Sequence, residues 1–258
     1  MALVEVTRDG SVATLALNRP ELRNALSIDL CDAICDGLEE IRAEGEARVV
    51  VVRGKGKAFC AGADFAAVSG PGGIDFLPRF ERMLEAVVRF ELPTVAQIHG
   101  AALGGGFQLA CVCDFRIVAE SGTLGIPAAR LGIVVNIENV RRLVHLVGMA
   151  RARSILMTGH VFTGPQAADE DLVQLCVADA DLEDNVAEFA RGMAMLSPLS
   201  VQGAKRSIQA VMDTIGDVRG AGLADELDRS VTEAYNSDDL VEGLRAMSEK
   251  RPPDFRGR

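Results

Sequence analysis

Tryptophan is absent from this chain, and tyrosine occurs once. With aromatics at only 4%, a stacking platform for single-stranded nucleic acid is disfavoured. Positive charge is also scarce. The 27 Lys and Arg residues are outnumbered by 37 Asp and Glu, for a net charge of −10. That balance argues against a non-specific nucleic-acid binder or an anionic-membrane binder. A small anionic ligand would need a local basic patch. No apolar run reaches the length of a membrane span, and "LACVCDFRIVA" is broken by Asp114 and Arg116. "MALVEVTRDG" has no basic region followed by an apolar core, so no signal peptide is expected and the reading is cytoplasmic. The six cysteines (31, 35, 60, 111, 113 and 176) form no CxxC pair and no Cys/His zinc spacing. They read as small buried hydrophobes in a reducing compartment, with no metal site.

What is present suits a globular protein with a sizeable core: 258 residues, 48% hydrophobic, 25% charged and 26 glycines. "ALVEVTRDGSVATLALN" predicts two strands around a turn at Asp9-Gly10. Ser27 predicts a helix cap, and Leu30, Ile34, Leu38 and Ile41 follow helical spacing. "ARVVVVRG" is a β-branched run of the kind buried on both faces of a sheet. A helix is expected through about 74–91, then strands at "TVAQIHG" and "DFRIVAE" with a short helix between them. The alternation predicts an α/β fold. "NIENVRRLVHLVG", with Asn136 as its cap, and "MARARSILMTG" read as separate helices. A short strand near 172–177 precedes a helical remainder. The division expected is an α/β core over 1–195 and a helical part over 196–258.

Two glycine-rich loops follow apolar strands: "AFCAGADF" (58–65) and "GAALGGGFQLA" (100–110). Small residues allow close backbone approach, and the second loop opens a helix whose first N–H groups favour negative charge. Two such donors converging on one point make an oxyanion hole. Tight packing of loops on a sheet is the other reading of the same glycines. A dinucleotide fingerprint is excluded, because "GAALGGG" lacks the G-x-G-x-x-G spacing.

"LNRPELRNALS" (17–27), "GKGKAFCAGADF" (54–65), "GAALGGGFQLACVCDFRIVA" (100–119) and "EKRPP" (249–253) together resemble the enoyl-CoA hydratase/isomerase, or crotonase, superfamily. The resemblance keeps the motifs in family order over nearly the whole chain. It implies a ββα spiral core, a C-terminal helical trimerisation region, and trimers or dimers of trimers. It implies an acyl-CoA partner and no cofactor beyond the CoA thioester itself. Carried over by position, the thioester oxygen would sit between the N–H groups of Ala63 and Gly105. The Ala61 carbonyl would meet the adenine, Arg23 a CoA phosphate, and Lys250 a neighbouring subunit's CoA. Basic residues gather at Arg19 with Arg23, at Arg53 with Lys55 and Lys57, and at Lys250 with Arg251. The lysine that relatives often carry after the Asp of the first loop is missing from "DFAAV".

In the hydratases two glutamates move the protons, and the resemblance places Gln108 and Ala128 (in "GIPAARLG", 125–132) at their positions. Gln108 can orient a ligand but cannot act as a base. Asn136 falls where some relatives carry an aspartate. Glu138 is the remaining candidate for a displaced acid, or else a first-turn carboxylate favoured by the helix dipole. Asp64 is expected to brace its loop. His99, at a strand end, and His145, in an apolar helix, are weaker candidates. The expectation is acyl-CoA binding with weak or altered catalysis. The alternatives are a non-catalytic carrier or sensor in fatty-acid metabolism, and an isomerase or decarboxylase that uses Glu138 or the oxyanion hole alone.

Overall fold

A computed structural model describes residues 2–64, 72–214, 229 and 231–256. Its strands are β1 (Val4–Asp9), β2 (Val12–Leu17), β3 (Val49–Gly54), β4 (Thr94–Ile98), β5 (Ala101–Leu103), β6 (Phe115–Ala119), β7 (Thr123–Gly125), β8 (Val161–Thr163) and β9 (Leu175–Val177). Its helices are α1 (Ile28–Glu44), α2 (Gly72–Val88), α3 (Gly105–Val112), α4 (Ile137–Thr158), α5 (Gly164–Asp169), α6 (Leu182–Ala194), α7 (Pro198–Thr214) and α8 (Asp238–Ser248).

Six strands form one sheet in the order β1-β2-β3-β4-β6-β9. The β1–β2 hairpin is antiparallel and every later pairing in this sheet is parallel. The β-branched run of β3 lies in the middle, and its alternate side chains feed two cores. Val50 and Val52 join the larger core, with Leu15, Ile98 and the apolar stripe of α1. Val49 and Val51 join the smaller one, with Leu182, Val186 and Ala190 of α6. Burial on both faces is the reason β3 shows no polar alternation. A second sheet, β5-β7-β8, was not expected from the sequence. Its strands are three residues each, too short to carry a periodicity signal.

Ser27 caps α1 by accepting from the Leu30 N–H at 3.2 Å, and Leu30, Ile34, Leu38 and Ile41 are buried as their spacing predicts. The Asn136 side chain caps α4 by accepting from the Asn139 N–H. Gly148 interrupts that helix with φ 75° and ψ 164°, so the two helices expected there meet at a break between them. Among the described residues no helix is long and apolar enough to cross a membrane.

Candidate functional site

The two glycine-rich loops are laced together by their backbones. Phe59 N–H donates to His99 O at 2.8 Å, Cys60 N–H to Ala101 O at 2.9 Å, and Leu103 N–H to Cys60 O at 3.0 Å. Farther along, Leu26 N–H donates to Gly62 O and Asp64 N–H to Leu26 O, both at 2.8 Å. Two glycines permit this approach. A Cβ on Gly106 would lie 2.2 Å from Cys60 O. Gly62 has φ 111°, and a Cβ there would lie 2.9 Å from Leu103 O.

This lacing engages the N–H groups of Leu26, Asp64 and Leu103, while Ala61 N–H donates to Arg23 O and Gly104 N–H to Gly125 O. Those of Ala63 and Gly105 enter none of these backbone bonds among the described residues. Gly105 is the first residue of α3, so its N–H has no acceptor within the helix and lies at the positive end of the helix dipole. Leu26 and Phe80 side chains pack beside it. The arrangement sets these two backbone donors on adjoining loops, one of them at a helix N-terminus; the N–H groups of Gly62 and Gly106 likewise enter none of these bonds among the described residues.

Gln108 sits one turn along α3, half-buried, and its Oε1 is sealed from solvent without a hydrogen-bond partner among the described residues. Ala128 is buried in the 3-10 turn Pro127–Arg130. Neither position offers a titratable group. Asn136 does more than cap α4, since its Nδ2 donates to Glu81 Oε1 at 2.8 Å. Asn139 Nδ2 donates to the same oxygen, and Arg142 lies 3.3 Å from Glu81 Oε2. Glu81 is a carboxylate near α4 that sequence reasoning missed. Its one sequence signal is the i,i+4 pairing with Glu85, because both reach Arg142. Glu138 is held by Arg141, with Arg142 Nε 3.7 Å from its Oε1.

Asp64 braces its loop through Arg19, whose Nη2 lies 3.0 Å from Asp64 Oδ2 and whose Nη1 donates to Ala25 O. Arg19 is therefore engaged in holding the fold. So are Arg53 with Glu183, Lys55 with Glu5, and Arg251 with Glu242. Arg23, Lys57 and Lys250 are exposed, and no ion pair involves them among the described residues. The Ala61 bond to Arg23 O, at 3.0 Å, puts two of the residues expected to meet CoA side by side. "DFAAV" beyond Asp64 lies outside the described residues. Lys250 follows α8, which closes over Leu131 and Gly132 just past the Ala128 turn.

Asn24 is a second residue the sequence did not mark. Fully buried, with φ 56°, it donates through Nδ2 to Lys55 O, Ala58 O and Phe59 O and accepts from Arg19 N–H. It ties the Arg19–Arg23 turn to the first glycine loop. His99 Nε2 lies 3.1 Å from Gly56 O, and burial pulls its pKa below the ordinary value. His145 Nδ1 is buried without a hydrogen-bond partner among the described residues. All six cysteines are free thiols, and burial pushes Cys60, beside the loop contact, up to about 12. It is no nucleophile at neutral pH.

The enoyl-CoA hydratase/isomerase family model matches residues 7–258. A "probable enoyl-CoA hydratase" of Mycobacterium tuberculosis is 34% identical over 256 residues, spanning 99% of this chain and all of that protein. The crystal structure of an enoyl-CoA hydratase/carnithine racemase from Magnetospirillum magneticum superposes with a TM-score of 0.79 at 30% identity, covering 100% of this chain and 97% of that one. A methylmalonyl-CoA decarboxylase in complex with 2-nitronate-propionyl-CoA shares the fold at a TM-score of 0.90 and 22% identity, over 99% of each chain. On sequence and fold together, the chain belongs to the enoyl-CoA hydratase/isomerase family.

Proposed function

We propose that this protein binds an acyl-CoA thioester with its carbonyl oxygen between the N–H groups of Ala63 and Gly105. We further infer that it is a poor hydratase. The observation that carries the binding reading is the loop pair, which sets the Ala63 and Gly105 N–H groups on adjoining laced loops, outside the backbone bonds among the described residues. Donors aimed at a thioester oxygen draw electron density from the carbon skeleton and stabilise an enolate-like charge. Hydration needs, in addition, one group to activate water and one to protonate the α-carbon. Gln108 and Ala128 supply neither. The Gln108 amide is left to orient the acyl group or a water.

The guanidinium contacts on Glu138 support binding over a displaced-acid isomerase, because that carboxylate already serves the packing of α4. A decarboxylase remains the second reading. Loss of CO₂ from a malonyl-type thioester leaves an enolate, which two backbone donors stabilise without a base. The phosphates of CoA fall to Arg23 and Lys250, the latter reaching a neighbouring subunit in a homotrimer or a dimer of trimers. The adenine falls to the Ala61 carbonyl. The setting proposed is cytoplasmic fatty-acid metabolism.

Calorimetry with a saturated acyl-CoA, its non-thioester ether analogue and free CoA tests the reading. Binding that weakens on replacing the carbonyl supports it. Equal affinity for thioester and ether would remove the carbonyl from the site.

A further inference from the structure

Arg116, on β6, is the largest fully buried side chain and, at 2% exposed, the only charged residue in the buried class among the described residues. Its side-chain hydrogen-bond partners are neutral, and the Asp114 carboxylate acts on it only through space. Nε donates to Leu172 O at 2.9 Å, Nη1 to Ala110 O at 3.2 Å and Cys113 O at 2.8 Å, and Nη2 lies 3.5 Å from Gln174 Oε1. Burying a guanidinium without a carboxylate against it is costly. The cation keeps its proton regardless.

Two of those acceptors identify what the charge serves. Ala110 O belongs to the last turn of α3, and Cys113 is its C-cap. These carbonyls form the negative pole of the helix. The positive pole of the same helix is the Gly105 N–H. With eight residues, α3 is only about 12 Å long, so its negative pole opposes the field at its own N-terminus. A cation seated on the negative pole cancels that opposition. The Leu172 and Gln174 contacts also fix the end of α3 to the segment entering β9, which sets the helix along its axis.

We propose that Arg116 is a positioning residue for the thioester site. It holds α3 in place and neutralises its negative pole, so that the Gly105 N–H polarises the bound carbonyl. The inference rests on the acyl-CoA reading above and deepens it.

The probe is a para-dimethylaminocinnamoyl thioester of CoA, whose absorbance moves to longer wavelength as its carbonyl oxygen gains negative charge. Binding is measured separately by calorimetry. The wild-type protein is expected to bind the probe and shift its absorbance. Arg116→Lys, which keeps the charge, is expected to retain most of that shift. Arg116→Met is expected to lose about half of it or more while affinity for free CoA stays within about threefold. Gln174→Glu leaves the packing intact and sets a carboxylate against the guanidinium, and a partial loss is expected there. If Arg116→Met does not fold, the decision passes to Gln174→Glu. A full wild-type shift in whichever of these variants is folded, by far-UV circular dichroism, would overturn the inference and reduce Arg116 to a core plug. A wild-type protein that binds the probe with no shift would overturn the carbonyl-polarising site first and this inference with it.

Discussion

Two regions flank α3 and are built from different materials. One is the loop pair at 58–64 and 99–106, where backbone N–H and C=O groups lace the chain and some donors, those of Ala63 and Gly105 among them, stay outside the lacing among the described residues. The other is the segment from Gly125 to Arg142, where function would have to come from side chains. There the chain offers buried Ala128, a capping Asn136, and a Glu138 held by arginines. The difference is instructive. A backbone donor persists through changes of residue type as long as the loop keeps its shape. A proton-transfer group vanishes with one substitution. Loops of this kind would therefore preserve ligand polarisation in a chain that had lost its acid–base groups.

The sharpest way to break the donor side is Gly106→Ala. Its Cβ would meet Cys60 O at 2.2 Å, a backbone atom with no room to yield. The expected result is a loss of about 3 kcal/mol or more in urea unfolding, with acyl-CoA binding abolished. Next comes Asn24→Ala, which leaves Lys55 O, Ala58 O and Phe59 O without their shared donor. A stability loss of about 2–3 kcal/mol is expected, measured the same way.

Removing exposed cations separates binding from folding. Arg23→Ala and Lys250→Ala should each weaken CoA affinity about five- to tenfold in calorimetry, leaving the melting temperature in place. Arg19→Ala should act in the opposite sense, lowering stability through Asp64 and Ala25. Glu138→Gln probes the other region. It should cost about 1 kcal/mol or less and leave affinity intact, whereas a displaced acid would take turnover with it. The smallest effect lies on α8, at the edge of the second region. Arg251 and the Asp254 N–H hold the Glu242 carboxyl down to about 2. A carboxyl held low stabilises the fold above its ordinary value of 4.5 and ceases to as pH falls toward about 2. Hydrogen exchange should therefore quicken over 249–256 across that interval, with no change in the glycine loops.

Much of this was legible in the sequence for definite physical reasons. The caps at Ser27 and Asn136, the double-faced β3 and the break after "VHLVG" all rest on local chemistry or periodicity, and the structure agrees. The loop pair was legible because glycine marks close approach. The β5-β7-β8 sheet was not, since three-residue strands carry no pattern. Nor were Asn24, Glu81 and Arg116, whose partners lie up to 35, 61 and 58 positions away. Long-range polar bonds leave no spacing to read. The same distance hides the engagement of Arg19, Arg53 and Lys55, which read as basic patches in sequence and pair with remote carboxylates in the fold.

The central claim is that the thioester site is intact and only its proton-transfer groups are missing. The most direct measurement follows the conjugated-enoyl absorbance of enoyl-CoAs of several chain lengths, with the wild type and a Gln108→Glu/Ala128→Glu double variant side by side. The account predicts negligible loss of absorbance with the wild type and measurable hydration with the double variant. Clear wild-type turnover, unchanged or reduced in the double variant, would contradict it.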